Sequence, residues 1–222
     1  MLPSPRPAFA LVALLALADC AHFAPPGAAP AAGGSTGAPT AASIAAGKPL
    51  EELQREFVEL RFGMFIHFGI LTYTGTWGQG SLDIARFDPA RLDPGQWADA
   101  AQAAKMKYGV LTTRHHDGFA LWPSRAGDYN VGHIPWRNGK GDVVAEYVAA
   151  FRSRGLLPGL YYSIWDITRG VAGGQITSDK LAYIETQLTE LLTNYGPIPI
   201  PLGPQPRVLR RQLLPRVADT LA

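Results

Sequence analysis

Apolar side chains recur along the middle of the chain at helical and then at strand spacing. Leu50, Leu53, Phe57 and Leu60 lie 3 and 4 residues apart, which predicts a short amphipathic helix over residues 49–60. The run Gly63-Met64-Phe65-Ile66-His67-Phe68-Gly69 reads as an apolar strand closed by glycine. In Asp93-Pro94-Gly95-Gln96, a capping acid, a first-turn proline and a glutamine at capping-box spacing open a helix through Trp97, Ala101, Ala104 and Lys105. A strand follows at once in Tyr108-Gly109-Val110-Leu111-Thr112-Thr113. The cycle then repeats. Asp142 caps a helix with Val143, Tyr147, Val148 and Phe151 on one face, Gly155 ends it, and residues 156–164 supply another apolar strand. A further helix over residues 178–194 carries Leu181, Ile184, Leu188, Leu191 and Leu192 on its inner stripe.

Strands that alternate with helices and read as continuous apolar runs imply a parallel sheet covered by those helices. This leaves a doubly wound sheet or a barrel. The unusual residues decide between them: His67 ends the first strand, His115 and His116 the second, and Tyr162, Trp165 and Asp166 the third. Polar and aromatic groups at the carboxyl ends of successive strands mark the active face of a (β/α) barrel. A nucleotide fold should show a glycine-rich turn after its first strand, and Gly75-Thr76-Trp77-Gly78-Gln79-Gly80 has neither the spacing nor the position. The expected fold is α/β, an incomplete (β/α)8 TIM barrel of which the first three βα units, with parallel strands, are present.

The amino-terminal quarter has a different character. Arg6 precedes the apolar run 8–18, too short to span a bilayer of ~30 Å but suited to a signal-peptide core. Cys20 is the single cysteine and follows that run in Leu17-Ala18-Asp19-Cys20, as in a bacterial lipoprotein box, although Asp19 stands where a small residue is usual. Lipid attachment at Cys20 and ordinary cleavage nearby both remain open. From there to residue 47 the sequence is chiefly Ala, Pro, Gly, Ser and Thr, with few large side chains to offset the entropy of ordering. The expected organisation is a signal peptide at 1–20, a linker at 21–47, the barrel portion at 48–198 and an aberrant Pro/Arg/Leu-rich tail at 199–222. The expected destination is export: periplasm, outer-membrane lipoprotein or secreted, with Cys20 as a candidate membrane tether. With 222 residues, 47% hydrophobic, 17% charged and a net charge of +2, the chain can bury a core and offers no basic stripe for nucleic acid.

A single histidine is more often a satisfied, partly buried side chain than a ligand. Here three would converge on one end of the sheet, beside Trp77, Trp122 and Trp165. Aromatic faces next to polar donors suit a pyranose ring, whose C–H face packs on the ring while its hydroxyls bond to imidazole or carboxylate. A metal site is the competing reading. Neighbouring strand residues point to opposite faces, so His115 and His116 could share an ion only through a local bend, and there is no cysteine cluster. A Gly-x-Ser-x-Gly elbow is also missing. Sugar hydrolysis generally uses two carboxylates, and those at strand ends are Asp117 and Asp166. Asp117, in His116-Asp117-Gly118, reads as a turn-stabilising aspartate before a catalytic one. For Asp166, substrate contact and loop capping stand equal.

The blocks Arg61 to Gly69, Met106 to Phe119 (with Arg114-His115-His116-Asp117-Gly118 at its heart), Leu121-Trp122-Pro123-Ser124, Gly139 to Val144 and Gln187 to Ile198 together resemble the α-L-fucosidases, retaining glycoside hydrolases of barrel fold. The resemblance covers about residues 49–198. It implies hydrolysis of terminal α-L-fucosides through a covalent glycosyl intermediate, with no cofactor, on a fucosylated oligosaccharide or glycoconjugate. It also implies that His67, His115 and His116 hold fucose hydroxyls. Trp77 matches a pocket aromatic, with Thr76 in place of the acid often found before it; Tyr162 stands where an aromatic nears the sugar; and Trp165-Asp166 is similar to the subgroup acting on α-1,3/4-linked fucose.

The resemblance stops after Ile198. A fourth strand ending in the aspartate nucleophile should follow, and the sequence reads Pro199-Ile200-Pro201-Leu202-Gly203-Pro204-Gln205-Pro206. Prolines at alternate positions cannot supply the amide donors of a central strand, which predicts that the fourth strand is missing and implies a truncated or frame-shifted reading frame. On this reading no nucleophile or acid/base is present and the isolated chain has no turnover. A half barrel would also expose sheet edges and inward faces, making it marginal or aggregation-prone. The alternatives are a carbohydrate-binding remnant and a non-functional product of a broken gene.

Overall fold

The computed structural model describes residues 50–76, 79–171 and 176–202. The expected signal peptide, linker and tail from residue 203, with Cys20 and Trp77, lie outside the described residues. In chain order the elements are α1 (Leu50–Leu60), β1 (Gly63–Ile66), a single helical turn α2 (Leu71–Thr74), α3 (Pro94–Ala103), β2 (Tyr108–Arg114), α4 (Val143–Ser153), β3 (Leu157–Tyr162), α5 (Ser178–Thr193) and β4 (Ile200–Leu202). Three short 3₁₀ turns, at Ile84–Arg86, Val131–His133 and Trp136–Gly139, punctuate the connections.

Helix starts follow the capping chemistry read from the sequence. The Asp93 carboxylate accepts from the amide of Gln96 at 3.2 Å with Pro94 in the first turn, and Asp142 accepts from the amide of Ala145 at 2.8 Å. Gly155 follows α4 in the left-handed region (φ 69°), which a residue with a Cβ rarely adopts, and the chain turns there into β3.

The four strands form one parallel sheet in the order β1-β2-β3-β4. β4 corrects the expectation that the prolines after Ile198 exclude a fourth strand: Ile200, Pro201 and Leu202 pair with Gly159, Leu160 and Tyr161. Ladder bonds in a parallel pair engage alternate residues. Among the described residues β4 is an edge, one of the few places in a sheet where a proline is tolerated.

The two faces of the sheet differ. Leu111, Leu160 and Tyr162 join Tyr147, Phe151, Ile184 and Leu191 in a large core between the sheet and the helices. Gly109 belongs to that side, because a Cβ there would lie 2.3 Å from the Phe151 ring of α4. The opposite face carries a small cluster of Leu60, Val110 and Ile200, flanked by Tyr108, Leu157 and Tyr161. Phe65 shares that face, 5.6 Å from Tyr161, and stays 50% exposed. Parallel strands with helices on one side and their carboxyl ends aligned are what a βα-barrel segment requires.

Candidate functional site

The chemistry collects at the carboxyl ends of β1, β2 and β3. His67 directly follows β1, and its ring lies edge-on to His115, centroids 4.6 Å apart. His115 and His116 follow β2, their centroids separated by 4.1 Å. Strand alternation would have placed these two on opposite faces. The register of β2 against β3 shifts between Thr112 and Arg114, and the strand ends in a turn closed by the Gly118 amide on the His115 carbonyl at 3.0 Å. That turn delivers both rings to the same end of the sheet. Gly118 occupies φ 84°, and a Cβ there would meet the Asp166 carboxylate at 2.6 Å, so the position requires glycine.

Tyr161 of β3 stacks on His115 at 5.9 Å, with 21° between the planes. Trp165, 43% exposed, lies 5.3 Å from His116. The His116 Nδ1 is 2.6 Å from the hydroxyl of Ser163.

A buried guanidinium braces this surface from beneath. Arg114 donates from Nε to the Gly118 carbonyl (3.3 Å) and from one terminal nitrogen to the Ser163 carbonyl (2.5 Å), and it pairs through the other with Asp166. Its charge also sits 4.9 Å from the ring centre of Tyr162. Asp166 uses its second oxygen to accept from the Arg169 amide at 3.0 Å.

Burial lowers the basicity of all three histidines. The pKa of His115 falls to about 3, first through burial and then through the neighbouring His116 and His67. His67 is lowered by burial, and His116 by burial and then by the Arg114 charge. Each ring is therefore neutral at neutral pH and carries one N–H and one bare ring nitrogen. Among the described residues, no group of three or more His, Cys, Asp or Glu side chains converges as metal ligands would.

The structure thus brings together four of the residues singled out from the sequence, His67, His115, His116 and Trp165. Tyr162 is not with them. It is buried on the helix side of the sheet, where its hydroxyl donates to Gln187 Oε1 at 2.8 Å. Trp122 also faces the helices, donating from Nε1 to Glu190 at 2.8 Å. Asp166 is buried, with one carboxylate oxygen paired to Arg114 and the other accepting from the Arg169 amide. Asp117 accepts from the Phe119 amide at 2.8 Å, the turn-stabilising role read for it. Tyr161, Ser163 and the brace formed by Arg114 were not found from the sequence. Tyr161 and Ser163, two residues apart, share a face, but the apolar and aromatic character of both faces of β3 gave no signal to single them out.

Known proteins give this arrangement a family. The α-L-fucosidase family model matches residues 81–200, more than half of the chain. Alpha-L-fucosidase 1 of Arabidopsis thaliana is 43% identical over 136 residues, covering 61% of this chain and 26% of that protein. Tissue alpha-L-fucosidase of Homo sapiens is 34% identical over 137 residues, covering 49% of this chain and 28% of that protein. A crystal structure of a glycoside hydrolase 29 family member from an unknown rumen bacterium superposes with a TM-score of 0.64 at 41% identity, covering 70% of this chain and 28% of that one. The chain therefore spans little more than a quarter of the length of these relatives.

Proposed function

The chain belongs to the α-L-fucosidase family of glycoside hydrolases, and from that premise we propose that its strand-end surface grips the terminal fucose of an α-L-fucosylated glycan. The convergence of three neutral histidines on one side of an exposed tryptophan carries this reading. His67, His115 and His116 bond the sugar hydroxyls, while Trp165 receives a C–H face of the ring. Trp77, the further pocket aromatic that the resemblance implies, lies outside the described residues. The reaction served is hydrolysis of terminal α-L-fucosyl linkages with retention, on α-1,3/4-linked fucose. A signal peptide over residues 1–20 exports the chain, residues 21–47 link it to the folded part, and Cys20 is a candidate tether. No described helix is long and apolar enough to cross a membrane.

Retention needs two carboxyl groups ~5–5.5 Å apart on either side of the scissile bond. Asp117 and Asp166, the described carboxylates at this end, are both buried and bonded to the protein itself. That supports a second reading for the isolated chain, sugar binding without cleavage. Assaying p-nitrophenyl α-L-fucoside hydrolysis beside L-fucose binding by calorimetry tests both. Saturable binding without nitrophenol release is the expected result. Turnover would overturn the non-catalytic reading, and the loss of both signals would overturn the fucose assignment.

A further inference from the structure

Resting on the sugar-binding reading above, we infer that Ser163 is a positioning residue that fixes His116 in the Nδ1–H tautomer, so that Nε2 meets the ligand as a proton acceptor. Ser163 is fully buried. Its Oγ lies 2.6 Å from His116 Nδ1 and 3.1 Å from the main-chain carbonyl of Trp165. A serine hydroxyl carries one proton, and a carbonyl can only accept. If that proton went to Nδ1, the oxygens of Ser163 and Trp165 would face each other with lone pairs alone. The Tyr161 side chain also bonds to Ser163, and all three contacts are hydrogen bonds when Ser163 donates to the Trp165 carbonyl and accepts from the Tyr161 hydroxyl and from His116 Nδ1–H.

The imidazole of His116 is neutral at neutral pH, since burial and the Arg114 charge both disfavour its protonation. A neutral ring has one N–H, so Nε2 keeps a bare lone pair. The relay is rigid because the backbone of Ser163 is bonded on both sides: its carbonyl accepts from Arg114 at 2.5 Å and its amide donates to the Arg114 carbonyl at 3.0 Å. The consequence is selectivity. The ligand group opposite Nε2 has to donate a proton, so a free hydroxyl is accepted there and an ether or a deoxy position is not.

Long-range 1H–15N NMR of the full chain, labelled at histidine nitrogens and held at neutral pH, reads the tautomer directly. A histidine free in water favours Nε2–H, which makes the expected pattern diagnostic. His116 should show Nδ1–H in the native chain and in Ser163→Thr, and should move toward Nε2–H in Ser163→Ala. L-Fucose affinity should fall roughly two- to tenfold in Ser163→Ala, the loss of one neutral hydrogen bond, and recover in Ser163→Thr. An Nε2–H pattern in the native chain overturns the inference even if the alanine variant fails to fold. An unchanged tautomer in a folded Ser163→Ala overturns it as well. Failure of the native chain to bind L-fucose contradicts the function proposed above, whereas the tautomer pattern tests the relay independently.

Discussion

Arg114 sits beneath the histidines with no exposed surface and directs its donors at Gly118, Ser163 and Asp166. These three partners belong to the two loops that carry His115, His116 and Trp165, so one guanidinium ties the β2 and β3 ends together. Removing one member of a buried ion pair leaves the other charge without compensation, at a cost of about 3–5 kcal/mol. Asp166→Ala should therefore lower the unfolding free energy by that amount, read from urea denaturation. A loss below ~1 kcal/mol would show that the pair is not the brace described. The histidines set a pH dependence of their own. Because the pKa of His115 is lowered from 6.5 to about 3, the unfolded chain takes up a proton between those values that the folded chain refuses. Its contribution to stability is complete above about pH 6.5 and drains away as pH falls toward about 3. His115→Gln should flatten the fall in stability between pH 7 and 4, measured by urea midpoints across that range. Residue identity made the cluster legible in the sequence, since His67, His115, His116 and Trp165 stand at strand ends. The burial of Asp166 was not legible, because an aspartate after a strand reads the same whether it faces a ligand or a buried arginine 52 positions earlier.

At the scale of elements, the strands and helices followed from apolar runs and capping residues, and their boundaries shifted by only a few positions. What the runs concealed was the phase. In β3, both faces of Leu157–Tyr162 are apolar or aromatic, so period two leaves no mark, and Tyr162 and Tyr161 exchange roles between the expected and observed sites. The register with β2 and β4 resolves it: a Cβ at Gly109 would meet the Phe151 ring of α4 on the helix side, and one at Gly159 would meet Val110 and Ile200 of the two neighbouring strands on the opposite face. Gly109→Ala would drive a methyl to within 2.3 Å of Phe151 and push α4 off the sheet. Overpacking of this kind costs about 1–3 kcal/mol, and differential scanning calorimetry should show a lower transition temperature. An unchanged transition would mean that α4 does not seat against β2 at that glycine. β4 is the other element the sequence concealed. A proline-rich stretch argues against a central strand, but the parallel register with β3 is open to it at an edge.

Over the whole described region, one face of the sheet is thickly covered by α3, α4 and α5, and the other holds a three-residue cluster with Phe65 half exposed beside Tyr161. The sheet is parallel and covered by helices on one face, and the three histidines and Trp165 gather at the carboxyl ends of its strands. Fucose binding by those groups is read at the rings themselves by titrating L-fucose into the full chain while following the ring proton signals of the five histidines by NMR. Saturable shifts at His67, His115 and His116, with His133 unmoved and D-glucose without effect, are the predicted result. Signals at those three rings that stay fixed while L-fucose reaches saturating concentration, or that respond equally to D-glucose, would contradict it.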